Sequence, residues 1–193
     1  LDWYPISLGF NNLEEPFSDP EIRWAVNHAI NREQVVEVGW QGNGRSSLLP
    51  FPEFTQLKQF TDRLQDLLEK YPVGLYDPTR TVEILTRKGW AKNSQGQWEK
   101  EGKTLRLVAN IFGGSQDYGP VVVEQLKQAG IDASFRMLAD VYNQNAQGHS
   151  IAFFNGHTGS VRDPYFTLRL YHERFVQPTG TPAEHFWRWR NAE

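Results

Sequence analysis

Apolar and polar positions follow two rhythms along the 193-residue chain, and these rhythms divide most of it into elements. Trp3, Tyr4, Ile6, Leu8 and Phe10 form a partly alternating run over 1–10, the pattern of a strand. A polar turn, 11–16, leads to Asp19-Pro20-Glu21. That triplet supplies a capping carboxylate, a proline suited to the first helical position and an acid in the first turn. Ile22, Ala25, Val26, Ala29 and Ile30 follow at helical spacing and predict one buried stripe. Asn31, with Gln34 three residues on, predicts a capping box that opens a second helix with Val35, Val36 and Trp40 on its apolar side. Residues 45–58, with Pro50 and Pro52, read as an extended connection. Phe60, Leu64, Leu67, Leu68 and Tyr71 predict a further helical stripe, stopped at Pro72. Asp77-Pro78 repeats the cap-plus-proline start, with Val82 and Leu85 expected inside and Gly89 as the stop. Residues 90–102 are turn-rich, and 97–99 read as a small hairpin arm.

The second half is the most regular. Residues 104–111 predict a strand, and 115–129 a helix with Tyr118, Val122, Leu126 and Ala129 on one side, closed by Gly130. Ile131, Ala133, Phe135 and Met137 alternate with polar residues as a second strand. A short helix near 140–147 precedes a third strand over 150–155. Strand–helix–strand–helix–strand with short links predicts right-handed parallel crossovers, hence an α/β fold. The aromatics Phe186, Trp187 and Trp189 in the tail require a neighbour to pack on.

Composition narrows the function classes. A net charge of −3 gives no bias toward nucleic acid or an anionic membrane, and no apolar run approaches the roughly 20 residues of a membrane-spanning helix. The absence of cysteine removes disulfides, thiolate metal sites and cysteine nucleophiles. The one methionine is Met137 and the chain opens on Leu1, which reads as a piece of a longer protein.

Candidate chemistry is sparse. Gly113-Gly114 sits between a strand and a helix but lacks the spacing of a nucleotide loop, and reads as a turn needing positive φ. The five histidines show no metal-binding pair at helical spacing, and His28, beside an apolar stripe, reads as structural. There is no Gly-x-Ser-x-Gly elbow. No catalytic residue, metal or cofactor is therefore assigned. Trp24 and the tail run Trp187-Arg188-Trp189-Arg190 interleave bases with aromatics, but the run is short and reads as amphipathic helix packing, not a nucleic-acid platform. The stretch 155–164 differs. Asn155, Gly156, His157, Thr158, Ser160 and Arg162 combine hydrogen-bonding side chains with a glycine, where ligands bind in open α/β sheets, beyond the carboxyl end of a predicted parallel strand. The residues alone leave a ligand loop and an ordinary polar surface loop both open, and a stand-alone α/β hydrolase using the 156–164 loop is the competing reading.

One stretch carries a resemblance. Phe10-Asn11, Pro16-Phe17, Asp19, Arg23-Trp24-Ala25 and Ala29-Ile30-Asn31-Arg32 resemble, in order and spacing, a signature of the extracytoplasmic solute-binding proteins of ABC transporters, in the oligopeptide, dipeptide and nickel class (family 5). Asn31 stands where the family has Asp, and both residues cap helices. Asp77-Pro78 with Leu85 and Gly89-Trp90, and Leu126 through Gly130-Ile131, are similar to later elements of that family. The resemblance implies a mixed, largely parallel sheet flanked by helices, one lobe of a two-lobed type II periplasmic-binding-protein fold that closes on its ligand. Residues 1–193 would form a single lobe, the second large one, and Trp189 onward would start a helix returning to the first. The implied partners are a small solute (peptide, opine or sugar-like), the missing first lobe and ABC permease subunits. The implied state is a monomer, and the implied location is periplasmic or extracytoplasmic. In peptide-binding members the site loop carries a Gly-Trp pair and an Asp that holds the peptide's amino group. Matching places His157 at the Trp position and Ser160 at the Asp position, which weakens recognition of an amino terminus, while Arg162 favours an anionic group.

Overall fold

The structure, a computed structural model, describes residues 5–52, 54–157 and 163–190. A four-stranded sheet organises it. Its strands are β1 (Ile6–Phe10), β5 (Arg106–Ile111), β6 (Asp132–Met137) and β7 (Ala152–Gly156), in the order β1-β7-β5-β6. β5 runs parallel to both β6 and β7, as the crossover pattern predicts, and β1 closes the other edge antiparallel to β7. A second, three-stranded antiparallel sheet, β2 (Ala91–Lys92), β3 (Trp98–Lys100) and β4 (Lys103–Thr104), contains the predicted hairpin arm. It is pinned by Trp98, whose buried indole donates to the Ala129 carbonyl at 2.8 Å.

The predicted signals at the first helix are realised. α1 (Pro20–His28) starts with the Asp19 side chain accepting the Glu21 N–H, and it buries Ile22, Ala25 and Val26. α2 (Arg32–Gln34) is capped by Asn31, which accepts the Gln34 N–H at 3.1 Å. The reciprocal half of the capping box is different from expectation. The Asn31 N–H goes to Gln125 Oε1 at 3.0 Å, while Gln125 Nε2 donates to the Asn31 carbonyl and to Gln34 Oε1. A tertiary partner thus replaces a local one, and the helix continues over Val35–Gly39 as a wide π turn.

The middle of the chain departs more from its pattern. The predicted stripe over 60–71 is two short helices, α3 (Thr55–Asp62) and α4 (Gln65–Lys70), with Leu67 and Tyr71 exposed. The residues that bury are Leu57, three residues before the expected stripe begins, and Phe51 in the segment read as extended. In α5 (Pro78–Arg87), capped by Asp77 as expected, Thr81 takes the inward place and donates to the Ala25 carbonyl at 2.9 Å, which leaves Val82 exposed at 45%. α5 packs on α1, so one polar bond across the interface rotates the apolar face by one position.

Helices cover both faces of the sheet. α6 (Gly119–Gln128) follows β5 and buries Val122, Val123 and Leu126 in the main core with Leu107, Ala109, Ile111, Ala133 and Phe154. α7 (Val141–Gln147) links β6 to β7. The Gly113-Gly114 turn is a single 3-10 turn without positive φ, so its expected left-handed conformation is not adopted. Ile131, just before β6, and Ala133 on it are buried, whereas Phe135 and Met137 emerge at the carboxyl end of this edge strand. α8 (Tyr165–Leu168) and 3-10 turns at Arg169–Tyr171 and Glu173–Phe175 complete the fold. The tail is not the expected amphipathic helix. Among the described residues, 176–190 contain no helix or strand, yet Ala183, Phe186, Trp187 and Arg188 are buried.

The signature stretch has a structural purpose. Arg23 donates to the carbonyls of Phe17 and Ser18, and Arg32 to those of Asn27 and Ile30 and to Asn27 Oδ1. Asn11 is fully buried, and its amide donates to the Gly148 carbonyl at 2.9 Å, tying the end of β1 to the end of α7. His28 is buried, stacked on Trp24 and hydrogen-bonded to the Leu75 carbonyl, a structural place as read from its position.

Candidate ligand-binding site

The carboxyl ends of the parallel strands β5, β6 and β7 emerge at one rim of the sheet, and β7 reaches furthest. Ala152 pairs with Ala109 of β5, so Asn155 and Gly156 extend past Ile111, where β5 has ended. Their other side stays paired, Asn155 opposite Ser7 and Gly156 opposite Ile6. The ladder fixes which groups face the open side. Asn11 bonds Ile151 and His157 bonds Pro5 (both 2.9 Å), so the hydrogen-bonded pairs are the odd-numbered ones and the amide and carbonyl of Gly156 turn away from β1. The Asn155 side-chain amide donates to the Gly156 carbonyl at 3.2 Å, and both residues are half-buried.

His157, the next residue, closes the strand. Its N–H donates to the Pro5 carbonyl, and its Nε2 lies 2.8 Å from Ser7 Oγ. Strand alternation puts Ser7, Gly9, Phe153, Asn155 and His157 on one face, where the tail crosses. The His157 ring lies nearly parallel to the Trp187 indole (5.6 Å, 16°) and stacks on Tyr171 (6.3 Å, 27°). Gly9 makes room for this layer, since a Cβ there would fall 2.5 Å from the Phe153 ring and 2.8 Å from Trp187 Nε1. The imidazole is 2% exposed, and among the described residues Nδ1 has no hydrogen-bond partner. Burial pushes its pKa down to about 4, so the ring is neutral at neutral pH. Burial likewise raises the Tyr171 hydroxyl above its ordinary value.

The six candidate residues therefore divide. Asn155 and Gly156 sit at the rim of the sheet, and His157 lies beneath it in the aromatic layer. Thr158, Ser160 and Arg162 lie outside the described residues. Ser7, Tyr171 and Trp187 are neighbours that the sequence did not associate with this place. The unmet need of Trp187 for a packing partner was the one available signal. The Ser7–His157 contact has the spacing of a nucleophile and its base. However, among the described residues no carboxylate orients Nδ1, and an imidazole titrating near 4 is a poor base at neutral pH. Among the described residues, no group of three or more His, Asp or Glu is placed to hold a metal.

The chain matches known proteins over nearly its whole length. The family model described as bacterial extracellular solute-binding proteins, family 5 (middle), matches residues 2–176. The chain belongs to this family. Among curated family 5 relatives, the oligopeptide-binding protein AppA of Bacillus subtilis is 24% identical over 144 residues, 69% of this chain and 24% of its own length. The nickel-binding periplasmic protein of Escherichia coli is 22% identical over 174 residues, 84% of this chain and 30% of its own. Heme-binding protein A of Haemophilus influenzae is 30% identical over 83 residues, 43% of this chain and 14% of its own. Among solved structures, a mannohexaose-bound periplasmic oligopeptide-binding protein from Thermotoga maritima superposes with a TM-score of 0.80 at 21% identity. That match covers 98% of this chain and 36% of the other. AppA in complex with a nonapeptide gives a TM-score of 0.75 at 20% identity and covers 98% and 37%. The fold is thus that of these binding proteins, and the chain spans about a quarter to two fifths of the length of most such relatives.

Proposed function

We propose that this chain is the ligand-gripping lobe of the substrate-binding component of an ABC importer. It captures a peptide or peptide-like solute outside the membrane and hands it to the permease. The observation that carries the reading is the rim of β7, where Asn155 and Gly156 run past the end of β5 with polar groups turned to the open side. Family membership supports binding rather than catalysis, since the matched relatives bear the names of binding proteins. It also supports an extracytoplasmic location; among the described residues no helix is long and apolar enough to cross a membrane. Residues 1–193 act as one lobe, and a monomeric protein of the relatives' length supplies the other. Asn155, Gly156, Thr158, Ser160 and Arg162 bind the solute, and His157 supports the end of β7 from beneath.

Affinity in a jaw-like protein arises when two lobes close, so this chain alone binds weakly, with Kd near or above about 1 mM. Calorimetric titration with an oligopeptide, glutathione, mannohexaose and an opine tests this. Submicromolar binding by the 193-residue chain contradicts it. With the other lobe present, Arg162→Ala weakens binding of the anionic members selectively; unchanged affinity for them removes Arg162 from the site.

A further inference from the structure

Arg188 is fully buried, and among the described residues no carboxylate lies within salt-bridge distance of it. Its guanidinium is instead satisfied by five main-chain carbonyls. Nε donates to Gln177, Nη1 to Asn145 and Phe186, and Nη2 to Ala146 and Thr181, at 2.6–3.3 Å. Five N–H groups meet five acceptors, which is the full capacity of the side chain. Asn145 and Ala146 are in the last turn of α7, where a cation meets the negative end of the helix dipole. Gln177 and Thr181 belong to the tail. The residue itself sits at φ +49°, a left-handed conformation that a non-glycine residue adopts only when its surroundings impose it. Gly148 is matched to it: a Cβ there would lie 2.7 Å from the guanidinium carbon.

The residue before it is Trp187. Its carbonyl accepts from the Asn12 N–H (2.8 Å) and the Asn12 side-chain amide (2.7 Å), and its indole covers His157. Trp187 is thus held by the turn after β1 on one side and by the Arg188 cage on the other.

We propose that Arg188 is the positioning residue of the ligand site: by gathering α7 and the tail around one guanidinium, it holds the Trp187 ring flat under His157 and so fixes the carboxyl end of β7. The proposal rests on the reading of that end as the solute site, but its test uses no solute. Lysine has three donors on a point charge and cannot serve five carbonyls. In Arg188→Lys the Trp187 layer loosens and water reaches the imidazole. The His157 ring-proton signal, followed by NMR across pH, then titrates at least tenfold more readily, its midpoint rising toward 6.5. Trp187 emission shifts to the red. Leu85→Ala, a cavity in the main core far along the chain from the cage, lowers stability without moving that midpoint. If Arg188→Lys does not fold, Gly148→Ala provides the second variant, because its new methyl group displaces the guanidinium. A folded Arg188→Lys or Gly148→Ala with the wild-type His157 midpoint overturns the proposal. Loss of folding in both also overturns it, because the role is then global stability. A shifted midpoint leaves Arg188 as the holder of Trp187 even where solute-induced amide shifts fall away from Asn155, Gly156 and His157, an outcome that refutes the site reading alone.

Discussion

His157 concentrates the physical chemistry of this chain at the residue scale. Its neutral form is favoured more strongly in the folded state, where burial pushes the pKa down to about 4 from the ordinary 6.5. Between those values the unfolded chain takes up a proton that the folded chain refuses. The stability tied to this ring is therefore complete above pH 6.5, falls as pH drops toward 4 and stays lost below, for a total of about 3 kcal/mol. Urea unfolding at neutral pH and near pH 4 checks this. His157→Phe keeps an aromatic ring in the layer and removes the titration, so its stability relative to wild type rises on acidification. A parallel pH dependence in both proteins contradicts the assignment. A second residue-scale expectation concerns Asn11. Its buried amide is the link between β1 and Gly148, and Asn11→Ala costs about 1–3 kcal/mol in the same assay. The sequence showed both residues, Asn11 in a family signature and His157 in a polar loop. It did not show their partners, which are 137 and 150 positions away.

Elements formed where local signals agreed with tertiary demand, and they shifted where the two conflicted. Asp19-Pro20 and Asp77-Pro78 start their helices because capping is a local bond between neighbours, legible in any context. Asp77→Ala accordingly costs about 1 kcal/mol, read as a lower thermal midpoint. The capping box at Asn31 was only half legible, since Gln125 from α6 takes the reciprocal bond that Gln34 was expected to make. Gln125→Leu leaves the Asn31 N–H without its partner and costs about 1–3 kcal/mol. Gln128→Leu, on the exposed side of the same helix, changes stability little. Val82 failed for a related physical reason. Periodicity identifies an apolar face, but which position turns inward depends on what it meets, and Thr81 meets a carbonyl of α1. The tail was least legible. Its aromatics belong to an irregular segment whose shape is set by one buried guanidinium, and no periodic pattern encodes that.

At the scale of the whole molecule, the parallel sheet was legible because strand–helix–strand order leaves few topologies. Its antiparallel edge β1 was not, because a lone alternating run does not say which strand it pairs with. The family signature turns out to serve the fold: Asn11, Arg23 and Arg32 all bind main-chain carbonyls. That separation explains how family 5 relatives can share the scaffold while their names record oligopeptide, heme and nickel. In the reading proposed above, the ligand is chosen at the strand ends, away from the residues that identify the family. The central claim is that a solute meets this chain at the carboxyl end of β7. Amide chemical-shift mapping of the 193-residue chain against an oligopeptide, glutathione and mannohexaose at millimolar concentration tests it most directly. The account predicts that a responding solute moves the amides of Asn155, Gly156 and His157 first. Perturbations that cluster elsewhere, with those three amides still, contradict it.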